Sequence, residues 1–142
     1  MSVIVKFFVA MQEDAQAALE RGPMGSLPVV EFGNFDAEEA LLDWESRLTG
    51  YSFEELIARG HPEVVGENDS GSLVLRLSED LVMSLSVMDR LQVRELSDWW
   101  AEEKVSNGTA IDPAVAEEIV RQLVMLVQLN SKDDASVYCW IS

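Results

Sequence analysis

The stretch NFDAEEALLDWESRLTG, residues 34–50, carries the signals of a complete amphipathic helix. Asp36 and Glu39 form a capping-box pattern, which predicts that the helix begins at Ala37. Gly50 is a natural helix stop, because glycine readily adopts the left-handed conformation. The apolar side chains recur at helical spacing and form one stripe: Leu41, Trp44 and Leu48. We expect this stripe to dock on a β-sheet.

Apolar segments at both ends of the chain predict the strands of that sheet. Residues 2–9, SVIVKFFV, and the closing SVYCWI, 136–141, are rich in β-branched and aromatic side chains. The alternating LVLRL at 73–77 predicts a middle strand, and VVEFGNF is consistent with one more short strand. In contrast, GHPEVVGENDSGS at 60–72 is predicted to be a loop, because it is rich in Gly, Asp, Asn and Ser.

The helices that follow are marked by capping residues, and the class of fold follows from their number. Ser52, Ser78, Asp89 and Asp112 each stand where a helix N-cap is expected. The predicted helices beyond the one at residue 37 cover 12–21, 53–59, 79–88, 90–103 and 113–129. The sequence therefore predicts an α+β fold in a single domain, residues 1–142, with a small sheet that includes both terminal strands and is packed by five or six helices.

Charge and composition limit the classes of partner. The chain holds 26 Asp and Glu against 10 Lys and Arg, a formal net charge of -16. This charge repels nucleic acid phosphates and anionic lipid head groups, so direct nucleic acid or membrane binding is not expected. The first residues lack a secretion-signal pattern, and the one cysteine cannot form an intramolecular disulfide, which favours the reducing cytoplasm. Acidity alone is equally consistent with a requirement for solubility.

Several of these features, taken in order, resemble an uncharacterised bacterial family, the YfbM-like proteins. They are an opening strand, Trp44 shortly before LTG (residues 48–50), LSED (77–80) opening a helix that breaks near Asp89, and the closing strand VYCWI. The chain lacks the histidine of that family's LTG helix, and Glu45 or Ser46 stands in its place. Because the family has no settled activity, the resemblance implies an α+β fold and no catalytic residue.

Catalytic and cofactor patterns are few. His61 is the only histidine, so an acid–base mechanism near neutral pH would depend on it or on a perturbed carboxylate; a structural role at the end of a helix is the alternative. Cys139 lies in an apolar strand, where a thiol is usually a small buried side chain. The sequence has no phosphate-binding glycine motif and no metal-ligand spacing, so no cofactor is predicted.

Acidic side chains near tryptophan indicate a protein-binding surface instead. An exposed tryptophan ringed by carboxylates is a suitable anchor for a basic partner. The candidate partner-binding residues are Glu38, Asp43, Trp44, Glu45, Trp100, Glu102 and Glu103. The alternative for both tryptophans is a place in the core or at its edge.

The leading functional hypothesis is a cytoplasmic, non-enzymatic module of the inhibitor or immunity type that recognises a basic protein. The alternatives are a structural or regulatory domain, a small enzyme that uses His61 and a carboxylate, and a mimic of nucleic acid. The mimic would need carboxylates on one continuous face at the spacing of phosphates.

Overall fold

The computed structural model describes residues 3–23, 25, 27–106, 108, 110–129 and 135–142. The elements in chain order are β1 (Ile4–Ala10), α1 (Gln12–Ala17), β2 (Val29–Gly33), α2 (Ala37–Thr49), α3 (Phe53–Ala58), β3 (Glu63–Glu67), β4 (Leu73–Arg76), α4 (Glu79–Ser86), α5 (Arg90–Ser106), α6 (Pro113–Leu129) and β5 (Ser136–Ile141). The strands form one antiparallel sheet in the order β2-β1-β5-β4-β3. This architecture confirms the predicted α+β class.

Both terminal strands belong to the sheet, as predicted, and they lie side by side in it. β1 and β5 pair from Val5 opposite Ile141 to Ala10 opposite Ser136. A backbone bond from the Ile4 amide to the Ser142 carbonyl, 2.8 Å long, continues the pairing to the end of the chain. The first and last elements thus hold each other in the centre of the fold.

Side chains alternate along the strands, so the sheet has apolar side chains on both faces, and each face is covered by helices. One face, which includes Val5, Phe7 and Cys139, belongs to the main core together with buried residues of α2, α4, α5 and α6. The other face, which includes Phe8 and Trp140, packs against the smaller α1 and its following turn. The polar clusters described below lie around α2, on the side of the main core.

Local signals define α2 at both ends. The Asp36 carboxylate accepts a hydrogen bond from the Glu39 amide at 3.0 Å, and Gly50 ends the helix with a φ of 83°. Leu41 and Trp44 are fully buried, and the ring of Trp44 lies 6.3 Å from that of Phe7 on β1. The predicted start and stop of this helix are confirmed, and so is the burial of Leu41 and Trp44, whereas Leu48 is only partly buried.

Two of the predicted segments are wrong in part. The segment 60–72 is not a loop throughout, since Glu63–Glu67 pairs with β4 as the edge strand β3. Its two valines outweigh the turn-forming residues that surround them. α1 ends at Ala17 instead of continuing to residue 21, because the chain turns and the Gly22 amide bonds to the Ala18 carbonyl. The predicted end of the last helix, at residues 130–131, lies outside the described residues.

Candidate functional site

Two acidic side chains flank the buried stripe of α2, and each contacts the side-chain nitrogen of a lysine or histidine from another part of the chain. Asp43 contacts Lys104 of α5, and Glu45 contacts His61, which follows α3. Both carboxylates belong to buried residues, at 6% and 1% exposure. The expectation that Asp43 and Glu45 serve as surface charge for a partner is therefore wrong, because each is buried and hydrogen-bonded to a side chain of the same chain.

The first cluster is a buried ion-pair network between α2 and α5. The Lys104 ammonium lies 2.6 Å from the Asp43 carboxylate, and it also bonds to Glu39. The side chains of Lys104 and Asp43 are each 9% exposed. Lys104 lies four residues beyond the buried Trp100, so the core-facing spacing of α5 could have identified it as an inward-pointing cation.

Burial and charge oppose each other in this network. Burial raises the pKa of Asp43, because it disfavours the ionised carboxylate and outweighs the hydrogen bond and charge of Lys104. Burial on its own would lower the pKa of Lys104. Hydrogen bonds and charges from Asp43 and Glu39 together outweigh it, so the pKa of Lys104 is raised. The network thus holds a protonated lysine beside a carboxylate that burial disfavours.

Trp44 and Trp100 form the aromatic centre of the same region. Their rings meet edge to face with centroids 5.0 Å apart, and Phe35 lies 5.9 Å from the Trp100 ring. Trp44 is 0% exposed and Trp100 is 1% exposed. The expectation that either ring is an exposed anchor is wrong, since both rings belong to the core.

The second cluster pairs the only histidine with a buried glutamate. The His61 Nδ1 atom lies 2.8 Å from Glu45 Oε2, and the Glu45 side chain is 2% exposed while that of His61 is 24% exposed. A carboxylate can only accept, so Nδ1–H is the donor, and Nε2 is the ring nitrogen left for other contacts. A histidine held in this way can be a structural partner for the buried charge or a general base.

His61 lies in an open cleft of about 570 Å³ between the end of α3 and the start of α4. The other side chains along it include Arg59, Arg76, Glu63 and Asp80. Arg59 is stacked on Tyr51 with its guanidinium carbon 3.9 Å from the ring centre, and Arg76 pairs with Glu63 at 3.6 Å. Several of the charged groups in the cleft are thus already engaged with neighbours.

The other three candidate residues lie on the surface. Glu38 is exposed on α2, and Glu102 and Glu103 are exposed on α5. The candidate set thus divides into a buried group around α2 and an exposed group of acids, of which two lie together on α5.

Sequence reasoning identified Glu102 but missed the acidic face of α5 to which it belongs. Glu95, Asp98 and Glu102 are all exposed, and their spacing of three and four residues puts them on one face of the helix. None of the three forms an ion pair with another described residue. The spacing of these three acids is visible in the sequence. Many other acids of the chain have similar spacing, however, and the exposed face of α5 is known only once its buried face is known.

The described part of the chain gives no support for a reactive cysteine, a metal site or a membrane-spanning helix. Cys139 is buried in the central strand, and burial raises the pKa of its thiol well above the ordinary value, which disfavours the reactive thiolate. Among the described residues, no group of three or more His, Cys, Asp or Glu could hold a metal ion. None of the described helices combines the length and the apolar character that crossing a bilayer requires.

Comparison with known proteins gives no relative for this fold. No family model matches the chain, and no curated protein and no solved structure matches it. The resemblance to the YfbM-like proteins therefore stays a prediction.

Proposed function

We propose that this protein is a non-enzymatic binding module, of the inhibitor or immunity type, that recognises a basic protein partner in the cytoplasm. The observation that carries the proposal is the acidic face of α5, formed by Glu95, Asp98 and Glu102, which are exposed and unpaired within the described chain. Exposed charge of one sign speeds the encounter with a partner of opposite sign and selects against partners of the same sign.

The internal pairing of the cations supports the same proposal. Most of the described cations contact an acid or an aromatic ring of their own chain: Lys6, Arg47, Arg59, Arg76, Lys104 and Arg121. With a net charge of -16, the remaining acids far outnumber the cations that could neutralise them. The field of the molecule therefore attracts basic surfaces from solution.

The test is retention of a basic protein by the immobilised chain from an extract of its own cells. We expect wild type to retain such a partner at low salt and to release it at high salt, because screening weakens contacts between exposed charges. The variant Glu95→Gln/Asp98→Asn/Glu102→Gln should lose the partner. Equal neutralisation on another surface, Glu13→Gln/Asp14→Asn/Glu20→Gln, is the matched control and should retain it.

Two outcomes of this experiment contradict the proposal. If no basic protein is retained at low salt, the chain is not a module for a basic partner. If both triple variants lose the same proteins to the same degree, retention reflects total charge, as on an ion-exchange resin, and recognition by the α5 face is wrong.

One geometric observation favours a second candidate, a small enzyme that transfers a proton in the cleft near α3. The contact of 2.8 Å between His61 and the buried Glu45 orients the imidazole in the way that a general base requires. The same contact also fits a purely structural role, since it supplies a hydrogen-bond donor to a carboxylate inside the protein.

The two roles of this pair predict the same loss of stability for His61→Ala but different results for ligand binding. Either role predicts that the free energy of unfolding falls by about 1 to 3 kcal/mol, because the substitution leaves the Glu45 carboxylate buried without its donor. Urea unfolding should show a smaller loss when the same change is made in a Glu45→Gln background. A catalytic role also predicts that wild type binds a small molecule in a ligand-observed NMR screen of metabolites and that folded His61→Ala does not. If wild type binds none, the enzyme candidate fails.

A further inference from the structure

The turn between α4 and α5 exposes apolar side chains that the fold does not use. Met83 is 68% exposed, Val87 is 77% exposed and Leu91 is 63% exposed. Single exposed apolar residues are ordinary, but Met83 and Val87 lie four residues apart at the end of α4, and Leu91 lies just beyond the turn in the first turn of α5. The turn does not depend on these apolar side chains. It is stabilised by a hydrogen bond of 2.8 Å that the Asp89 carboxylate accepts from the backbone N–H of Gln92.

A groove connects Val87 to the acidic face of α5. Val87 and Glu95 line the same depression, of about 240 Å³, between the end of α2 and the turn. Its apolar walls include Leu48 and Leu96, and its volume is suited to a single side chain of a partner. Arg47 also lines it, with its guanidinium carbon 5.2 Å from the centre of the Trp99 ring.

We propose that Met83, Val87, Leu91, Glu95 and Asp98, together termed the corner surface, bind a basic amphipathic helix of another protein. The apolar side of that helix covers the turn and inserts one side chain into the groove. Its lysines or arginines face Glu95 and Asp98. This inference rests on the proposed function and names the surface that carries it.

Charge complementarity identifies the occupant. On α5, Glu95 and Asp98 follow Leu91 on the same helix face, and on α4 the exposed Glu79 precedes Met83 by four residues. The apolar centre therefore has acids at both ends. The cations Arg90 and Arg94 line a depression between α5 and α6. Arg94 lies at the edge of the acidic face, three residues after Leu91, where the acids Glu95, Asp98 and Glu102 outnumber it. A helix with an apolar stripe between basic residues matches this order, and exposed methionine adapts to varied apolar shapes.

The experiment measures binding of a synthetic amphipathic helix of leucines and lysines by fluorescence anisotropy. The variant Val87→Ser/Leu91→Ser should bind this peptide at least about tenfold more weakly, because two side chains of the contact lose their apolar area. A second peptide, with serine in place of every leucine and the same charge, should bind both proteins equally. The matched control Ile57→Ser/Val115→Ser changes exposed apolar residues elsewhere and should leave affinity for the leucine peptide unchanged.

The substituted side chains are exposed, so the variants should fold, and urea unfolding checks that their stability stays within about 0.5 kcal/mol of wild type. Equal affinity of wild type and Val87→Ser/Leu91→Ser for the leucine peptide would overturn the corner surface. An equal loss in the control pair would overturn it as well. If the natural basic partner depends on the α5 acids but not on Val87 and Leu91, the proposed function stands and only the corner surface fails.

Discussion

Replacing Lys104 by methionine should lower the free energy of unfolding by about 3 to 5 kcal/mol at neutral pH, the range expected when one partner of a buried ion pair is removed. Methionine keeps most of the stem of the lysine but removes the ammonium. The Asp43 carboxylate, 9% exposed in its side chain and 2.6 Å from that ammonium, is then left inside the protein without its cation. Urea unfolding monitored by circular dichroism measures the loss.

Two comparisons separate loss of the ion pair from loss of packing. Lys6→Met changes a lysine whose partner Glu31 is exposed, at 3.3 Å, and it should cost less than about 1 kcal/mol. The double variant Asp43→Leu/Lys104→Met removes both charges and should be more stable than Lys104→Met alone, because no buried charge remains unpaired. If Lys104→Met costs no more than Lys6→Met, the network does not stabilise the fold.

The deficit of Lys104→Met should also depend on pH. Without the ammonium, the pKa of Asp43 rises further above its unfolded value than in wild type, because the hydrogen bond and charge of Lys104 no longer oppose burial. A carboxyl group whose pKa is raised by folding destabilises the native state fully above its folded pKa, and this penalty decreases as the pH falls below the folded pKa and is gone below the unfolded pKa. The difference in stability between the variant and wild type should therefore shrink on acidification from neutral pH. A difference that grows would show that Asp43 is not the source of the penalty.

The parts of the fold that were predictable from sequence are those fixed by neighbouring residues. The start of α2 depends on a bond between residues three apart, and its end depends on one glycine, so both could be read from a short stretch. The terminal strands were predictable because their segments are continuous runs of mostly β-branched and aromatic residues. β3 was missed because it is a short edge strand whose pairing partner β4 lies beyond a turn, and its own residues are mixed.

The polar clusters could not be predicted because their members come from distant parts of the chain. On a helical wheel, Asp43 and Glu45 both lie at the edge of the apolar stripe of α2, where a side chain can be exposed or buried. The outcome depends on what packs beside the helix. Lys104 of α5 packs on one side of α2 and His61 on the other, and the sequence of residues 34–50 contains no information about either contact. Sequence alone therefore identified the acids and misjudged their exposure.

The largest effect of a core substitution is expected for Trp44. Trp44→Ala should lower the free energy of unfolding by about 3 to 5 kcal/mol, because it removes a fully buried ring and leaves a cavity against the core. The Trp100 and Phe7 rings, with centroids 5.0 Å and 6.3 Å away, would lose their shared neighbour. The measurement is again urea unfolding, followed by far-ultraviolet circular dichroism so that the removed fluorophore does not affect the signal.

Trp44→Phe distinguishes the ring from its polar atom. The Trp44 Nε1 atom has no hydrogen-bond partner among the described residues, so phenylalanine removes a buried donor as well as ring volume. Its cost should be less than half that of Trp44→Ala. Trp99→Ala, which removes a half-buried ring under Arg47, is the matched control and should cost about 1 kcal/mol or less.

The Trp44→Phe protein also tests whether this residue has any direct part in binding. Because the ring is enclosed between the sheet and α5, a folded Trp44→Phe protein should retain a basic partner as well as wild type does. The Glu95→Gln/Asp98→Asn/Glu102→Gln variant should lose the partner while it keeps the stability of the core. The opposite pattern, with binding lost in Trp44→Phe and kept in the α5 variant, would place the contact at the aromatic cluster and exclude the acidic face of α5.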